Sequence, residues 1–431
     1  MKYLGFLRNF RTKSNLIKRF LKIINRYGFN STQLKKNITQ FIFDCNNFGI
    51  CPTFPVTAQV LKRHSDFFMQ FDPEQAEFAV HGYYHQDYTR ISNPKKKEQL
   101  QQALDVFRNL NIPVTGFRFP YLRVDEISLY NVAELSFEYD SSFVYWWDIF
   151  DIIPAGSEDI IQKMKYQYEP RQPEMSPILP ERISTLIEIP VSIPDDDILV
   201  DRLGILDNDI IFTIWKAILD QTIERGEIFV LQLHPERYHL LRKALLKLLG
   251  YIYKKKEEIW ATPLREIASW WKRREEIQVS CIFTGKNRIR IQIKRPRELN
   301  YQFYNYESEK NVKFVLNRSS NLLQEEFEIK MPCLPLIGVG EKTTPSFREL
   351  LKNAGFVIEE EMRSREDFCL FFDEDPDMDS PYQWLRQFTM SLNIPLLKFN
   401  VWPGNFKCAF AVTGDIDALS TQDFFSRIYD H

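Results

Sequence analysis

Short apolar runs alternate with helical patterns from about residue 30 to residue 270, and this alternation restricts the fold more than any other feature. Runs such as EFAV, LIEIPVS and IFVLQL have the length of buried strands, and segments such as KKKEQLQQALDVFRNL have the period of amphipathic helices. Strands joined by crossover helices are parallel, because the helix returns the chain to the same edge of the sheet. Seven strand patterns precede residue 270. The sequence therefore predicts an α/β sheet or barrel, one strand short of a closed eight-stranded barrel.

The pattern changes after SWWKRR at residues 269–274. QVSCIFTGKNRIRIQIKRP alternates apolar residues with polar and basic ones around a turn, which predicts a hairpin, and mixed helices and strands follow it. A chain of 431 residues also exceeds the usual size of one domain. We therefore predict a basic helix at 1–29, the main barrel at 30–274, a second, smaller α/β domain at 275–400, and a closing strand and helix at 401–431.

Composition restricts the partners. Hydrophobic residues make up 44% of the chain and the net charge is −2, which argues against a disordered chain and against a general nucleic-acid binder. Small molecules or neutral polymers are the expected partners. The six cysteines are scattered without a CxxC pair, which predicts reduced, mostly buried thiols. The N-terminal segment lacks the apolar core of a secretion signal, so we expect a cytoplasmic location.

The N-terminal segment is strongly basic. No acidic residue precedes Asp44, whereas ten lysines and arginines do. Apolar residues between Leu16 and Ile24 form one helical stripe, with basic residues opposite. Such a helix could lie on an anionic inner membrane face, or it could be a domain helix with a solvated cationic side. The sequence leaves both interpretations open.

Two histidines stand four residues apart in HGYYH, immediately after the strand EFAV. If this segment opens a helix, the imidazoles of His81 and His85 lie on one face and can share a metal ion. The alternative is a pair of hydrogen-bonded surface histidines. Their position at a strand end favours the metal site, because barrel enzymes collect functional groups there.

Two further polar residues follow apolar strands. Arg118 in GFRFPYLR is predicted to lie directly on a strand, and a buried arginine needs a carboxylate partner at the barrel mouth. A surface-directed arginine is the alternative. His234 in LQLHPER ends another strand, where it could be catalytic or simply a hydrogen-bonded structural residue.

A metal site built on His81 and His85 still needs an anionic ligand. PDDD at residues 194–197 follows a strand but is equally typical of a helix start. The C-terminal segment AVTGDIDAL is an apolar strand with Asp415 and Asp417 at its carboxyl end, and it brings the strand count to eight. We therefore expect these aspartates to complete the site.

HGYYH, RFPY and LQLHP occur in the order found in the polysaccharide deacetylases, and the sequence resembles that family (carbohydrate esterase family 4, the NodB homology domain). In the family, a strand ending in two aspartates precedes the strand similar to PTFPV. Here TGDID stands at the far end instead, so the chain looks circularly permuted. The resemblance covers about 30 to 270 and 402 to 425. It implies a distorted (β/α) barrel with the smaller α/β domain inserted before the last strand, a domain whose role stays unexplained.

The resemblance also implies a metal centre. A divalent metal, usually zinc, would be held by Asp417, His81 and His85, with an open position for water and substrate. The family includes members with a D-x-D spacing in place of adjacent aspartates. The spacing of Asp415 and Asp417 therefore fits the family pattern.

The same resemblance implies the catalytic roles. Asp415 would be the general base that activates water, and Arg118 would pair with it. The metal and the backbone N–H of Tyr121 would stabilise the oxyanion, and His234 would protonate the leaving amine. These roles match amide hydrolysis, because an amine leaves poorly unless it is protonated. The family's fourth motif, an aspartate and tryptophan region lining the acetyl pocket, is matched only loosely by YDSSFVYWWD at 139–148.

Together these features predict a metal-dependent N-deacetylase that acts on an amino sugar in a glycan or glycan precursor. A cytoplasmic, lipid-linked precursor would suit the basic N-terminal helix, which would then contact the inner membrane face. Two alternatives stay open: a carbohydrate-binding or assembly protein that has lost catalysis, and a hydrolase of non-sugar amides or cyclic ureides. The sequence does not identify the sugar, the native metal or the oligomeric state.

Overall fold

A computed structural model gives the structure of most of the chain. It describes residues 23–24, 26–147, 157–173, 175–303, 313–315, 322–360, 363–377 and 380–429. The basic helix predicted for residues 1–29 lies mostly outside these ranges. No helix among the described residues combines the length and the apolar character needed to cross a membrane.

The first part of the chain alternates strands and helices, as predicted. Its strands are β1 (Thr53–Val56), β2 (Glu77–Val80), β3 (Gly116–Phe117), β4 (Tyr139–Asp140), β5 (Val144–Trp146), β6 (Glu181–Ile183), β7 (Leu186–Glu188), β8 (Val191–Ile193), β9 (Ile228–Leu233) and β10 (Ile259–Ala261). Its helices are α1 (Thr32–Asn46), α2 (Ala58–Arg63), α3 (Ser65–Phe68), α4 (Asn93–Asn109), α5 (Glu126–Glu134), α6 (Glu158–Tyr168), α7 (Asn208–Arg225), α8 (Tyr238–Lys254) and α9 (Leu264–Arg274).

The second part begins with the hairpin predicted around GKN. Its strands are β11 (Gln278–Gly285), β12 (Arg288–Pro296), β13 (Tyr301–Phe303), β14 (Lys313–Val315), β15 (Leu322–Ile329), β16 (Leu334–Lys342), β17 (Ile358–Glu359), β18 (Phe368–Glu374) and β19 (Leu397–Phe399). Helices α10 (Pro345–Asn353) and α11 (Pro381–Ser391) accompany them, and the chain continues into β20 (Cys408–Gly414) and α12 (Thr421–Tyr429).

One large sheet organises the first part of the chain. Its strand order is β5-β8-β9-β20-β1-β2-β3-β4-β7-β6, and β10 pairs with β20. The C-terminal strand β20 lies between β9 and β1, with Gly414 opposite Leu233 and Thr413 opposite Thr53. Among the described residues the path is open, so the sheet is a curled half-barrel of eleven strands and not a ring of eight. The predicted α/β class with a distorted barrel is confirmed in this form.

Burial explains why the central strands are almost wholly apolar. Every residue of β1, β2, β9 and β20 is buried, as expected for parallel strands whose two faces are covered by helices and by the opposite wall of the barrel. The last residue of β20, Gly414, has no room for a side chain, because a Cβ there would stand 2.7 Å from the ring of Phe54. The backbone of β20 therefore packs closely against α1 and β1 at this point.

The remaining strands form three smaller sheets. Strands β11, β12, β15 and β14 make an antiparallel sheet, β13 pairs with β19, and β17, β16 and β18 form a parallel sheet beside helices α10 and α11. The assignment of 275–400 as a separate inserted domain stays a prediction. The division of the rest of the chain at 30–274 and 401–431 stays a prediction as well.

Two sequence predictions are wrong in this part of the description. The sequence QVLKRHSDFFMQ has the pattern of a single helix, but in the structure the helix breaks at His64 into α2 and α3. Cys333 and Cys369 form a disulfide, whereas all six cysteines were expected to be reduced. The two stand 36 residues apart, a spacing that no short motif would reveal.

Candidate active site

Polar side chains follow several neighbouring strands at the same edge of the main sheet. His81 follows β2, Arg118 follows β3, His234 follows β9, and Asp415 and Asp417 follow β20. Because these strands are parallel and adjacent, their carboxyl ends meet at one edge. The structure therefore gathers residues that are as many as 336 positions apart in the chain (from 81 to 417).

Two histidines and one aspartate form a compact group. The Nε2 atom of His85 lies 3.2 Å from Asp417 Oδ2, and Nε2 of His81 lies 3.5 Å from Asp417 Oδ1. One ligand atom from each residue lies within 4.8 Å of the other two. Ligands of one zinc ion, each about 2 Å from it, stand roughly 3 to 4 Å apart. The group thus has the size and the donor atoms of a three-residue zinc site.

The two histidines meet for a reason that differs from the predicted one. The segment from His81 to Asp87 is a series of bends, not a helix. Gly82 turns the chain at φ 78°, where a Cβ would stand 2.9 Å from the carbonyl oxygen of Tyr84. The helical explanation for the shared face was wrong, and the tight turn at Gly82 takes its place.

His81 is oriented by the neighbouring strand. Its Nδ1 atom lies 2.8 Å from the backbone oxygen of Arg118, which can only accept a hydrogen bond. His81 therefore carries a hydrogen on Nδ1, and Nε2 is the ring nitrogen directed at Asp417, where it can bind a metal through its lone pair. A histidine fixed in this tautomer is suited to bind a metal.

Arg118 and Asp415 form the buried ion pair that the sequence predicted. Nη1 of Arg118 donates to Asp415 Oδ1 at 2.8 Å and to Thr413 Oγ1 at 2.7 Å, and the arginine side chain is wholly buried. The second oxygen of Asp415 accepts a hydrogen bond from Gln232 Nε2 at 2.8 Å. Asp415 Oδ2 also lies 3.9 Å from Nε2 of His81. The carboxylate is thus fixed beside the histidine cluster by two donors.

A short turn after β4 holds the other end of Arg118. Ser141 accepts from the guanidinium through its backbone oxygen at 2.8 Å and its hydroxyl at 2.9 Å. The turn is itself held by two buried acids, because Glu188 accepts from the backbone N–H of Ser142 and Asp140 accepts from the hydroxyl of Ser142. Burial and the adjacent Glu188 raise the pKa of Asp140 well above its usual range. The loosely matched segment YDSS therefore supports the arginine.

His234 forms a second cluster with Asp196. Its Nδ1 atom lies 2.6 Å from Asp196 Oδ1, and its backbone N–H donates to Asp196 Oδ2 at 2.7 Å. Burial alone would lower the pKa of His234, but the Asp196 carboxylate overrides this effect and raises it to about 10. Burial and the neighbouring Asp196 raise the pKa of Asp195 to about 7. His234 is therefore protonated at neutral pH.

Asp195, Asp196 and His234 also have possible metal-binding atoms within 4.8 Å of one another. However, Asp196 already uses both oxygens on His234, and a protonated imidazole has no lone pair to offer. Asp195 accepts from the backbone N–H of Ile198, as a helix-capping residue does. This cluster is therefore better suited to donate a proton than to bind a metal.

Tyr121 stands in a strained turn beside the histidines. It adopts φ 62° and ψ 10°, a left-handed conformation that costs a side-chain-bearing residue some free energy. Its ring contacts that of His85, with centroids 4.3 Å apart. The strain fixes the direction of the backbone N–H that the sequence resemblance assigned to the oxyanion.

The sequence missed three residues that hold the site: Asp196, Gln232 and Ser141. Asp196 was considered only as a metal ligand or helix start, although its place after a strand was a usable signal. Gln232 is the one polar residue in the apolar strand IFVLQL, which also marks it. Asp148, the last residue of the loosely matched fourth motif, lies outside the described residues.

The arrangement is compatible with hydrolysis of an amide. It combines a candidate metal-ligand set, a fixed carboxylate that could accept a proton, and a histidine that could donate one. The ligand set fits a divalent metal on the chemistry of its donors, two imidazole nitrogens and a carboxylate, and on the fixed tautomer of His81.

Comparisons with known proteins agree with the motifs. Residues 36–139 match the family described as polysaccharide deacetylase. No curated protein matches the chain. The matched segment includes His81, His85, Arg118 and Tyr121, whereas Asp415 and the other C-terminal residues of the site lie outside it.

Several solved structures are similar over part of the chain. A polysaccharide deacetylase from Pseudomonas aeruginosa PAO1 has 17% identity and a TM-score of 0.46, with 59% of this chain and 77% of that chain covered. One from Mycobacterium smegmatis has 16% identity and a TM-score of 0.44, with 57% and 80% covered. A family 4 pseudoenzyme from Bacillus anthracis has 13% identity and a TM-score of 0.34, with 54% and 61% covered.

The family match includes both histidines of HGYYH and the arginine of RFPY, the motifs on which the sequence resemblance was based. The same residues lie together at one edge of the curled sheet. Residues 36–139 thus match the polysaccharide deacetylase family, which confirms the resemblance over this segment, and the circular permutation stays a prediction.

Proposed function

We propose that this protein hydrolyses the N-acetyl amide of an amino sugar, in a glycan or glycan precursor, with the help of a divalent metal. One observation carries the proposal: Asp417 lies within 3.5 Å of both His81 and His85, beside the Arg118–Asp415 pair. Water attacks the acetyl carbon, the C–N bond breaks, and the products are acetate and the free amine.

His81, His85 and Asp417 would hold the metal, and zinc fits two imidazoles and one carboxylate with an open position. When bound, the metal would polarise the acetyl carbonyl and acidify a water molecule. The hydrogen bond from His81 Nδ1 to the Arg118 carbonyl keeps the imidazole in the orientation that this requires.

Asp415 is the proposed general base. Its carboxylate lies 3.9 Å from the imidazole of His81, next to the proposed ligands. From there it can accept a proton from the attacking water. Arg118 and Gln232 hold one carboxylate oxygen each, so that the base cannot rotate away. The wholly buried arginine also balances its charge.

His234 is the proposed general acid. Paired with Asp196, it carries the proton that the leaving nitrogen needs, and its Nε2 is left to face the substrate. The backbone N–H of Tyr121 is the proposed donor to the oxyanion that forms on the acetyl oxygen. The left-handed turn at Tyr121 supports this role, because it fixes the direction of the N–H group.

The order of the motifs supports a circular permutation. The strand with the aspartates follows HGYYH in the chain, whereas in the resembling family it comes first. Pairing of β20 between β9 and β1 gives this late strand the position that an early strand would otherwise fill. We therefore propose that the permutation preserves the site while changing the order of the chain.

The substrate proposed here is a glycan precursor in the cytoplasm, with the basic N-terminal segment contacting an anionic membrane. The ten basic residues before Asp44 support the membrane contact. Loss of liposome binding on deletion of residues 1–28 is the expected result, and failure of the intact protein to bind liposomes would contradict it.

The function is tested by acetate release from N-acetylglucosamine oligomers with zinc or cobalt added. The wild type should release acetate, a chelator should stop it, and His81→Ala and Asp417→Ala should release none. His239→Ala, an exposed histidine on α8, is the matched control and should retain activity. Acetate release that survives both site variants would overturn the assignment.

Two other results would redirect the proposal. Glycan binding in the presence of a chelator, with no turnover at any metal, would indicate a binding protein that has lost catalysis. Faster turnover of small cyclic ureides than of chitooligosaccharides would keep the enzyme class and change the substrate.

A further inference from the structure

A cavity of about 620 Å³ lies at the opposite end of the main sheet from the proposed active site. It is bordered by the end of α7, the start of β9, helix α11 and the segment around β19. Glu227, just before β9, lines it, whereas His234 follows the other end of that strand. Six strand residues separate the two ends by about 20 Å. The cavity is therefore distinct from the metal-ligand cluster.

The cavity contains a buried carboxylate that is only half satisfied. Glu227 is 1% exposed, and one of its oxygens accepts a hydrogen bond from the Tyr382 hydroxyl of α11. Its other oxygen, Oε2, has no hydrogen-bond partner among the described residues. A buried acceptor without a partner costs about 1 to 3 kcal/mol, so a ligand that donates to it would recover this free energy.

Burial in this cavity shifts the pKa values of two ionisable groups. Burial raises the pKa of Glu227 to about 7, although Tyr382 and Arg225 act in the opposite direction. Burial and the nearby Arg274 lower the pKa of Lys398, which also lines the cavity, to about 8. Both shifts favour neutral forms, as expected where solvent is scarce.

Several of the charged groups around the cavity are paired. Four basic side chains and two acidic ones line it: Arg225, Arg386, Lys398, Lys407, Glu224 and Glu227. Arg386 pairs with Glu224, and Lys407 pairs with Glu258. Little net charge is therefore left to attract an ion, which suits a neutral ligand that donates hydrogen bonds.

The remaining lining residues are amides and apolar or aromatic groups. Gln302, Asn400 and Asn405 supply planar polar groups, and Phe399 and Phe406 supply flat apolar ones. Sugars carry hydroxyl donors around their rim and weakly polar C–H faces, so this combination suits a sugar ring. The volume is also within the range of about 300 to 1,000 Å³ that is usual for small-molecule sites.

From this combination we propose that the cavity is a second binding site, for a neutral sugar, in which Glu227 accepts a hydrogen bond from a hydroxyl or amide N–H. The site joins the main sheet to the region of α11 and β19, for which no role was found in the sequence. The proposal does not depend on catalysis at the metal-ligand cluster.

The test measures binding of three disaccharides by titration calorimetry to full-length protein that carries His81→Ala and Asp417→Ala. The probes are neutral N,N′-diacetylchitobiose, its cationic deacetylated form, and an anionic uronic acid disaccharide. The neutral probe should bind once per chain and more tightly than the charged ones. Because the metal ligands are absent, binding at the proposed active site does not contribute.

Variants then locate the bound sugar. Glu227→Gln should weaken binding of the neutral probe at least tenfold, and Thr389→Trp, which fills the cavity from α11, should abolish it. Gln387→Trp, exposed on the same helix and outside the cavity lining, is the matched control and should bind normally. The Trp pair keeps the test valid if Glu227→Gln fails to fold.

Three results would overturn the proposal: no binding of the neutral probe, tighter binding of a charged probe, or binding that neither Glu227→Gln nor Thr389→Trp changes. Acetate release by the otherwise unchanged protein is measured separately. Its absence would count against the proposed function alone, and its presence would not rescue a cavity that fails to bind sugar.

Discussion

Two imidazole–carboxylate clusters stand at the same edge of the main sheet, and their imidazoles differ in what holds Nδ1. In the first cluster, Nδ1 of His81 donates a hydrogen bond to the backbone oxygen of Arg118, and Nε2 is directed at Asp417. In the second cluster, Nδ1 of His234 is hydrogen-bonded to the carboxylate of Asp196. A backbone carbonyl accepts from Nδ1 of the first imidazole and leaves Nε2 directed at Asp417, whereas a buried carboxylate raises the pKa of the second imidazole.

This difference separates the two proposed tasks. A neutral imidazole with a free lone pair can bind a metal but cannot supply a proton. An imidazolium can supply the proton that a leaving amine needs but cannot bind a metal. The partner of Nδ1 therefore decides the role of each histidine, and spacing in the sequence does not reveal it.

The largest expected effect is the difference between a variant of the first cluster and a variant of the second. His85→Ala should abolish both zinc binding and acetate release, because it removes a proposed ligand. His234→Ala should leave zinc binding intact and lower the rate by about 10²- to 10⁴-fold, the usual contribution of a general acid. Calorimetric zinc titration and acetate release measure the two quantities. Equal loss of zinc in both variants would erase the distinction between the clusters.

A second prediction concerns the base between the two clusters. Asp415→Asn should lower the rate of acetate release by about 10²- to 10⁴-fold, because the amide cannot accept the proton from water. Zinc affinity should change little, since Asp415 is not a proposed ligand. Glu325→Gln, at a buried carboxylate that pairs with Arg295 between β15 and β12, controls for loss of a buried charge. Undiminished activity in Asp415→Asn would assign the base to another group.

A smaller effect is expected on the pH dependence of the rate. Asp196 raises the pKa of His234 to about 10, so Asp196→Asn should move the alkaline decline of the rate to lower pH. Asp197→Asn, which removes a neighbouring carboxylate bound to Arg237, should leave that decline in place. Rate profiles of the two variants between pH 6 and 10 give the comparison. Coincident profiles for wild type and Asp196→Asn would contradict the role of this pair.

The last prediction concerns stability and not the reaction. The folded pKa of His234, about 10, exceeds the value of about 6.5 expected in the unfolded chain. Protonation therefore stabilises the fold fully below about pH 6.5, and this contribution disappears as the pH rises through 10. The free energy of unfolding of wild type relative to His234→Gln should fall over that window. Chemical denaturation at several pH values measures it, and a constant difference would contradict the raised pKa.

The site residues at the strand ends were predictable from the sequence, because the carboxyl ends of parallel strands lie at the same edge of a sheet. The apolar runs of β2, β9 and β20 are visible in the sequence, and they point to His81, His234 and Asp415 at their carboxyl ends. The same reasoning predicted a carboxylate partner for Arg118, since a buried guanidinium must be paired.

Contacts made by turns were not predictable in this way. The histidines of HGYYH meet through the left-handed turn at Gly82 and not through a helix, and period counting cannot detect such a turn. The partnership of Asp196 with His234 joins two loops 38 residues apart. The pairing of Cys333 with Cys369 likewise depends on the packing of β18 beside β16.

The most direct measurement is the metal content of purified wild type and Asp417→Asn after loading with zinc and removal of excess metal. The account requires that the C-terminal strand completes the site with His81 and His85. Wild type should then retain one zinc ion per chain, and Asp417→Asn should retain almost none while keeping its fold. Equal zinc content in the two proteins would show that the late strand does not complete a metal site.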